Sequence, residues 1–316
     1  MPKLLQNRIA ESGMLLPAAA LIALAVWLLC GLIDRGWWGQ LICFAVSAYL
    51  MVELSNGNAL LRVRSRMVSS VFLILSCTFC FNFGSLSAGI VQLCSVAAII
   101  ILFHSYQDDQ APGWTFYAFL CLGLGSMAFI QLLIFAPIAW LLMAVYLQSL
   151  SLRTWVASLI GLVTPYWFAG VYLLFERDFS PVVGHFEQLG LLALPPDYST
   201  LTMAQVAALA FITVLTLTGI VHFWLRSFED KHRIRQLYGV FTTVSMLLMV
   251  CIVAQPQYYD QLARILVVSA SPIVAHFFTH THSRATNICF AVVLVLAALL
   301  TGYNLLSPLI SSWIGS

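Results

Sequence analysis

Three groups of residues in the 316-residue chain have the types and spacing that chemistry needs. The first is ELSNGNALLRVRSR, where Arg62, Arg64 and Arg66 alternate beside Asn56 and Asn58. Alternating guanidinium groups can hold a phosphate or an anionic lipid head group. The competing account is that they only fix orientation in the membrane. The second is HFFTHTHSR, where His276 and His280 lie four apart and His282 follows. Histidines at that spacing share a helical face and can chelate a metal, but no glutamate stands between them and no third carboxylate is at hand. The residues fit an interfacial histidine patch better, and no metal and no cofactor is expected. The third group sets carboxylates beside arginines: Asp34 with Arg35; Glu176 with Arg177 and Asp178; Asp260 with Arg264; and His185, Glu187 and Asp197 between them. A carboxylate at a membrane boundary can act as general base while an arginine holds a phosphate. Asp260 and Arg264, four apart, can equally pair with each other, and Glu176–Asp178 can be an ordinary solvated turn.

Other chemical templates are missing. The sequence has no GxxxxGK[ST] loop, no HExxH and no G-x-S-x-G elbow. Eight cysteines all fall inside apolar runs, Cys77 and Cys80 included, and so read as small packing residues rather than a disulfide framework or a zinc site.

The elements that must position these residues are membrane spans. Apolar residues make up 61% of the chain and charged residues 8%, against roughly 45–50% and 25% in soluble proteins. Fourteen Lys+Arg and twelve Asp+Glu cannot coat a soluble particle of this size, and a net charge of +2 with no long basic run excludes a nucleic-acid partner. Apolar runs bounded by charges or turn residues fall at 14–33, 37–53, 67–83, 85–104, 115–130, 133–150, 155–175, 203–225, 238–254, 261–279 and 286–307. The first is too long for a signal-peptide core, and no small-x-small site follows it, so it reads as a retained helix. The expectation is one integral membrane domain over 1–316, an all-α bundle of about eleven spans.

Charge decides the doubtful segment 115–150, which holds no charged residue. A hairpin there, with the N-terminus inside, puts Lys3, Arg8, Arg62, Arg64, Arg66, Arg153, Arg226, Lys231, Arg233, Arg235 and Arg284 on the inner side. Arg35, Arg177 and Arg264 are left outside. A single long helix would export the KHRIR cluster instead, so the positive-inside rule favours the hairpin and an outer C-terminus. The longest outer loop, 176–202, contains FEQLGLLALP, which can lie as an interfacial helix ending at Pro195–Pro196. The outer carboxylates are charges that orientation does not require. Asp34, Glu176 and Asp178 are therefore the catalytic candidates. Arg35, Arg177, His185, Asp260 and Arg264 are the candidates for binding substrate, and Arg62, Arg64 and Arg66 for binding anionic lipid.

Two stretches carry a resemblance. NGNALLRVRSRMVSSVFLIL leads an asparagine and spaced arginines into the third span, and FYAFLCLGLGSMAFIQLLIFAPIAWLLMAVYLQSLSLRTWVASLIGLVTPYW joins a glycine-containing hairpin to an arginine turn and a G-x-x-T-P span. With the order of segments along nearly the whole chain, they resemble an uncharacterised family of polytopic bacterial inner-membrane proteins, a domain of unknown function. That resemblance implies the inner membrane of a Gram-negative cell and supplies no catalytic residues. A glycine-rich span entering an apolar hairpin is also similar to membrane glycosyltransferases that use polyprenyl-phosphate sugars. Those carry an acidic residue in a long first outer loop; Asp34 takes that place here, in a loop of only a few residues. Together these point to envelope biogenesis on a lipid-linked or amphipathic substrate at the outer face, with membrane lipids and a polyprenyl-phosphate-linked substrate as partners. The alternative is a non-enzymatic transporter or assembly partner.

Overall fold

The computed structural model describes residues 5–62, 65–176, 180–190, 196–281 and 283–314. All regular structure among them is helical: α1 (Leu5–Glu11), α2 (Leu15–Leu29), α3 (Leu32–Arg35), α4 (Trp38–Asn58), α5 (Met67–Thr78), α6 (Leu86–Phe103), α7 (Pro112–Ala128), α8 (Phe135–Leu142), α9 (Leu152–Glu176), α10 (Ser180–Glu187), α11 (Met203–Arg226), α12 (His232–Ala254), α13 (Tyr259–His280) and α14 (Arg284–Ile314). Among the described residues, eight segments are long and apolar enough to cross a membrane, and α2 and α5 are shorter apolar helices. The chain is a multi-pass helical membrane protein.

The uncharged stretch folds as a hairpin. Phe129 adopts an extended conformation (φ −154°, ψ 95°) that ends α7, and a 3-10 turn, Ile130–Ile134, leads into α8. Phe119 and Trp140, about equally far from that break, bring their rings to 6.3 Å. At the open end the Gln107 N–H donates to the Leu147 carbonyl at 2.8 Å. The second arm finishes as a π-helical turn, Met143–Leu147, and Gln148 leaves it in the left-handed region (φ 51°). Behind the hairpin, α7 and α9 make the most extensive helix pair in the bundle. Glycines permit it: a Cβ on Gly161 would lie 2.4 Å from the Phe116 carbonyl, and one on Gly123 2.8 Å from the Leu162 carbonyl. Small residues let two membrane helices meet backbone to backbone.

Helix α13 is the axis. In its span 94% of the apolar window is buried, against 17% for α14, and it packs on α5, α6, α11 and α12. Hydrogen bonds sort the loops into two ends. At one, Gln6 donates to the Thr281 carbonyl, Arg233 Nη2 to Asn58 Oδ1 (3.1 Å), and Ser151 Oγ to the Asp109 carbonyl (2.7 Å). At the other, Gln40 Nε2 donates to the Gly84 carbonyl (3.1 Å), Asn82 Nδ2 to that of Asp260 (2.7 Å) and Gln131 Nε2 to that of Gln188 (3.1 Å). The first of these is the basic end.

Two expected boundaries shift. The loop helix lies earlier than FEQLGLLALP, at Ser180–Glu187 with a 3-10 turn through Gly190, and the rest of that expectation, 191–195, falls outside the described residues. Helix α12 starts at His232 rather than 238, because its basic residues form a helical turn ahead of the apolar run.

Candidate functional site

At the basic end, the α4–α5 loop and α13 converge on one carboxylate of the α11–α12 linker. The α11–α12 connection is a 3-10 turn, Ser227–Glu229, followed by Asp230, whose side chain is 1% exposed. Asp230 accepts from Arg62 Nε (2.7 Å) and from His276 Nε2 (3.1 Å). Arg62 Nη1 reaches Glu229 (2.9 Å), and Arg226 Nη1 binds the other oxygen of Glu229 (3.1 Å). The Arg62 backbone N–H donates to His280 Nε2 (3.4 Å), while His280 Nδ1 donates to the His276 carbonyl (3.1 Å). The α4–α5 loop, the α11–α12 linker and the axial helix are thereby tied together by charge.

Burial by itself would raise the Asp230 pKa. The hydrogen bonds from His276 and Arg62 overcome it and hold the pKa at about 2, while the bond to Asp230 pushes Arg62 further up. Both partners are ionised at neutral pH. Around His276 stand the rings of His280 (4.3 Å), Tyr238 (4.9 Å), Phe223 (5.4 Å) and His222 (6.1 Å). His276 Nδ1 is buried with no hydrogen-bond partner among the described residues. The Asp230 carboxylate fixes the orientation of the His276 ring.

Phe223 also lines the neighbouring cleft of about 430 Å³, between the π-turn, the end of α11 and the start of α12. Its lining mixes polar and apolar groups: the end of α11 with its C-cap gives Phe223, Trp224 and Ser227, and α12 gives Arg235, Gln236, Thr242, Thr243 and Met246. Gly239 makes the wall possible, since a Cβ there would lie 2.4 Å from the Tyr146 ring, whose hydroxyl bonds Thr243 at 3.0 Å. The π-turn, a form frequent at functional sites, carries Tyr146 against Gly239 and Thr243 of α12. Among the described residues, no carboxylate lines the cleft. Its chemistry suits a molecule with an anionic head and an apolar tail.

Of the residues chosen from sequence, only Arg62 enters a charged constellation. Arg66 is exposed, and Arg64 lies outside the described residues. At the opposite end Asp34 is exposed, and Arg35 lies over the Trp37 ring at 4.9 Å. Glu176 closes α9, with nothing described of its side chain, and Arg177 and Asp178 are outside the described residues. His185 Nε2 lies 3.1 Å from the Ser126 carbonyl oxygen, packing α10 on the hairpin tip. Arg264 is buried, donating to Gln92 Oε1 (2.9 Å) and to the Asn82 carbonyl (2.7 Å), and no ion pair joins it to half-buried Asp260 among the described residues. His276 is not part of an interfacial patch, for it is 1% exposed and bonded to a carboxylate; His280 stacks on its ring at 4.3 Å, and His282 lies outside the described residues. No group of three metal-ligating side chains occurs among the described residues.

Sequence reasoning missed Glu229 and Asp230. Two acids embedded in the basic stretch RSFEDKHRIR were the available signal, since orientation has no use for them. No protein family matches the chain, and neither a curated protein nor a solved structure matches it.

Proposed function

We propose that the protein is a bacterial inner-membrane component of envelope biogenesis that binds an anionic amphiphile, such as a lipid-linked phosphate, in the cleft at its basic end. The observation that carries this is the cleft's mixed lining. Arg235, Gln236 and Ser227 line it together with Phe223, Trp224 and Met246, and no carboxylate is among its described lining residues. The topology belongs to the same reading: eleven crossings by α2, α4, α5, α6, α7, the 130–147 arm, α9, α11, α12, α13 and α14, with the N-terminus and basic end inside and the C-terminus outside. The loops sorted by hydrogen bonds alternate in that order, and eleven of the fourteen basic residues then lie inside.

This reading moves the substrate from the outer face to the inner. An outer, glycosyltransferase-like site needs arginines ready for phosphate, whereas Arg264 is engaged by Gln92 and Asn82, and Arg35 lies on Trp37. The test uses farnesyl phosphate and the detergent-purified protein, with tryptophan fluorescence reporting through exposed Trp224. Arg235→Gln removes the cation and is expected to weaken binding roughly 10-fold, as loss of one charge-assisted hydrogen bond implies. Asp34→Asn and Glu176→Gln should bind like the parent. Full binding by Arg235→Gln, or loss in Asp34→Asn, returns the site to the outer face.

A further inference from the structure

A second cleft, of about 200 Å³, opens between α2 and α14 at the same end, floored by α5 and α13. Its wall includes Ile9, Leu15, Ile22, Val71, Phe278 and Leu294. Ser70 is its one polar residue, and that hydroxyl already donates to the Arg66 carbonyl at 3.0 Å. An apolar cavity of about 150 Å³ accepts a benzene-sized group and excludes water, so this one accepts a stretch of hydrocarbon chain. A helix, about 10 Å across, does not fit.

The rim is charged in the complementary sense. Arg8 directly precedes the lining residue Ile9, and Arg66 directly precedes Met67, which also lines the wall. Both are exposed. Ser65 Oγ donates to the Ala10 carbonyl, which sets the loop carrying Arg66 against the short helix carrying Arg8. Glu11 is also exposed on that helix. Helix α1 is held from its other side by the Gln6 N–H on Asn287 Oδ1 (3.0 Å).

We propose that this cleft holds one anionic phospholipid, an acyl chain between α2 and α14 and its phosphate on Arg8 and Arg66. The site is separate from the Arg235 cleft and does not depend on the function proposed there. The lipid closes the gap between the first and last apolar helices from within.

Native mass spectrometry of the detergent-purified chain, supplied with phosphatidylglycerol or phosphatidylcholine, tests it. The parent should retain one phosphatidylglycerol in clear preference to phosphatidylcholine. Arg8→Gln with Arg66→Gln should lower phosphatidylglycerol occupancy about tenfold and abolish the preference. Ala18→Phe, at the exposed edge of the wall, should displace both lipids with the arginines intact, and Arg235→Gln should leave retention unchanged. Equal retention of the two lipids by the parent overturns the proposal, as does full retention by Ala18→Phe. So does a lipid-free dimer that hides the cleft against a second copy.

Discussion

At the residue scale, Asp230 carries the largest consequence. Its carboxylate is buried, and both its partners are cationic or polarised toward it. Asp230→Asn leaves Arg62, about a third exposed, with Glu229 as its remaining counter-charge, and losing such a charge-assisted hydrogen bond costs about 2 kcal/mol. The apparent Tm in detergent should fall, and Arg62→Gln should fall with it rather than add to it. The pH dependence follows from the sign of the shift. A carboxyl held at about 2, against the ordinary 3.9, binds its proton more weakly folded than unfolded. Its contribution, about 2 kcal/mol, is complete above roughly pH 4 and is lost as pH falls toward 2. Thermal melts across that window should show a steeper loss for the parent than for Asp230→Asn. Arg62 was legible in the sequence as a cation with a task. Its partner was not, because 168 positions separate them and no local pattern encodes such a pairing.

At the element scale, the α7–α9 contact and the Tyr146 wall make separable predictions. Gly161→Ala drives a methyl against the Phe116 carbonyl, and the helices must part; a loss of about 1–3 kcal/mol is expected, read as a lowered Tm. Gly170→Ala in the same helix meets nothing within 4 Å and should be neutral or slightly stabilising, as its helix propensity suggests. Gly239→Ala pushes on the Tyr146 ring and should impair farnesyl phosphate binding more than stability. Element positions were readable wherever charge or turn residues bound an apolar run, as for 203–225 against Met203–Arg226. They were less readable where the helix ends for packing reasons. Helix α5 stops at Thr78, although apolar residues continue through Phe83. All but one of its residues are buried by neighbouring helices, so lipid does not set its length.

At the scale of the whole molecule, orientation is the testable quantity. A reporter active only in the cytoplasm should work when fused near Arg153 or Lys231 and fail near Asp197 or Ser316. A cytoplasmic signal at Ser316 would mean an even number of crossings. The chain reversal at Phe129 is the feature on which the proposed odd count rests. The positive-inside rule favoured that hairpin before any contact was known, because charge bias is a property of the whole chain and survives local ambiguity. The two clefts were not readable at this scale, since each is a gap between helices distant in sequence.

The enclosed position of α13 bears on how the protein is made. This helix carries Arg264 and His276 into the centre of a bundle in which every helix but α14 precedes it among the described elements. Those two side chains make it a poor candidate to partition into lipid unaided. Its acceptors, Gln92, the Asn82 carbonyl and Asp230, are already translated when it leaves the ribosome. The earlier helices must therefore wait as an open ring, and insertion of α13 is the step that closes it. A nascent chain stopped just before Tyr259 should be held by the insertion machinery or degraded, and one stopped after α14 should be released as a compact, protease-resistant body.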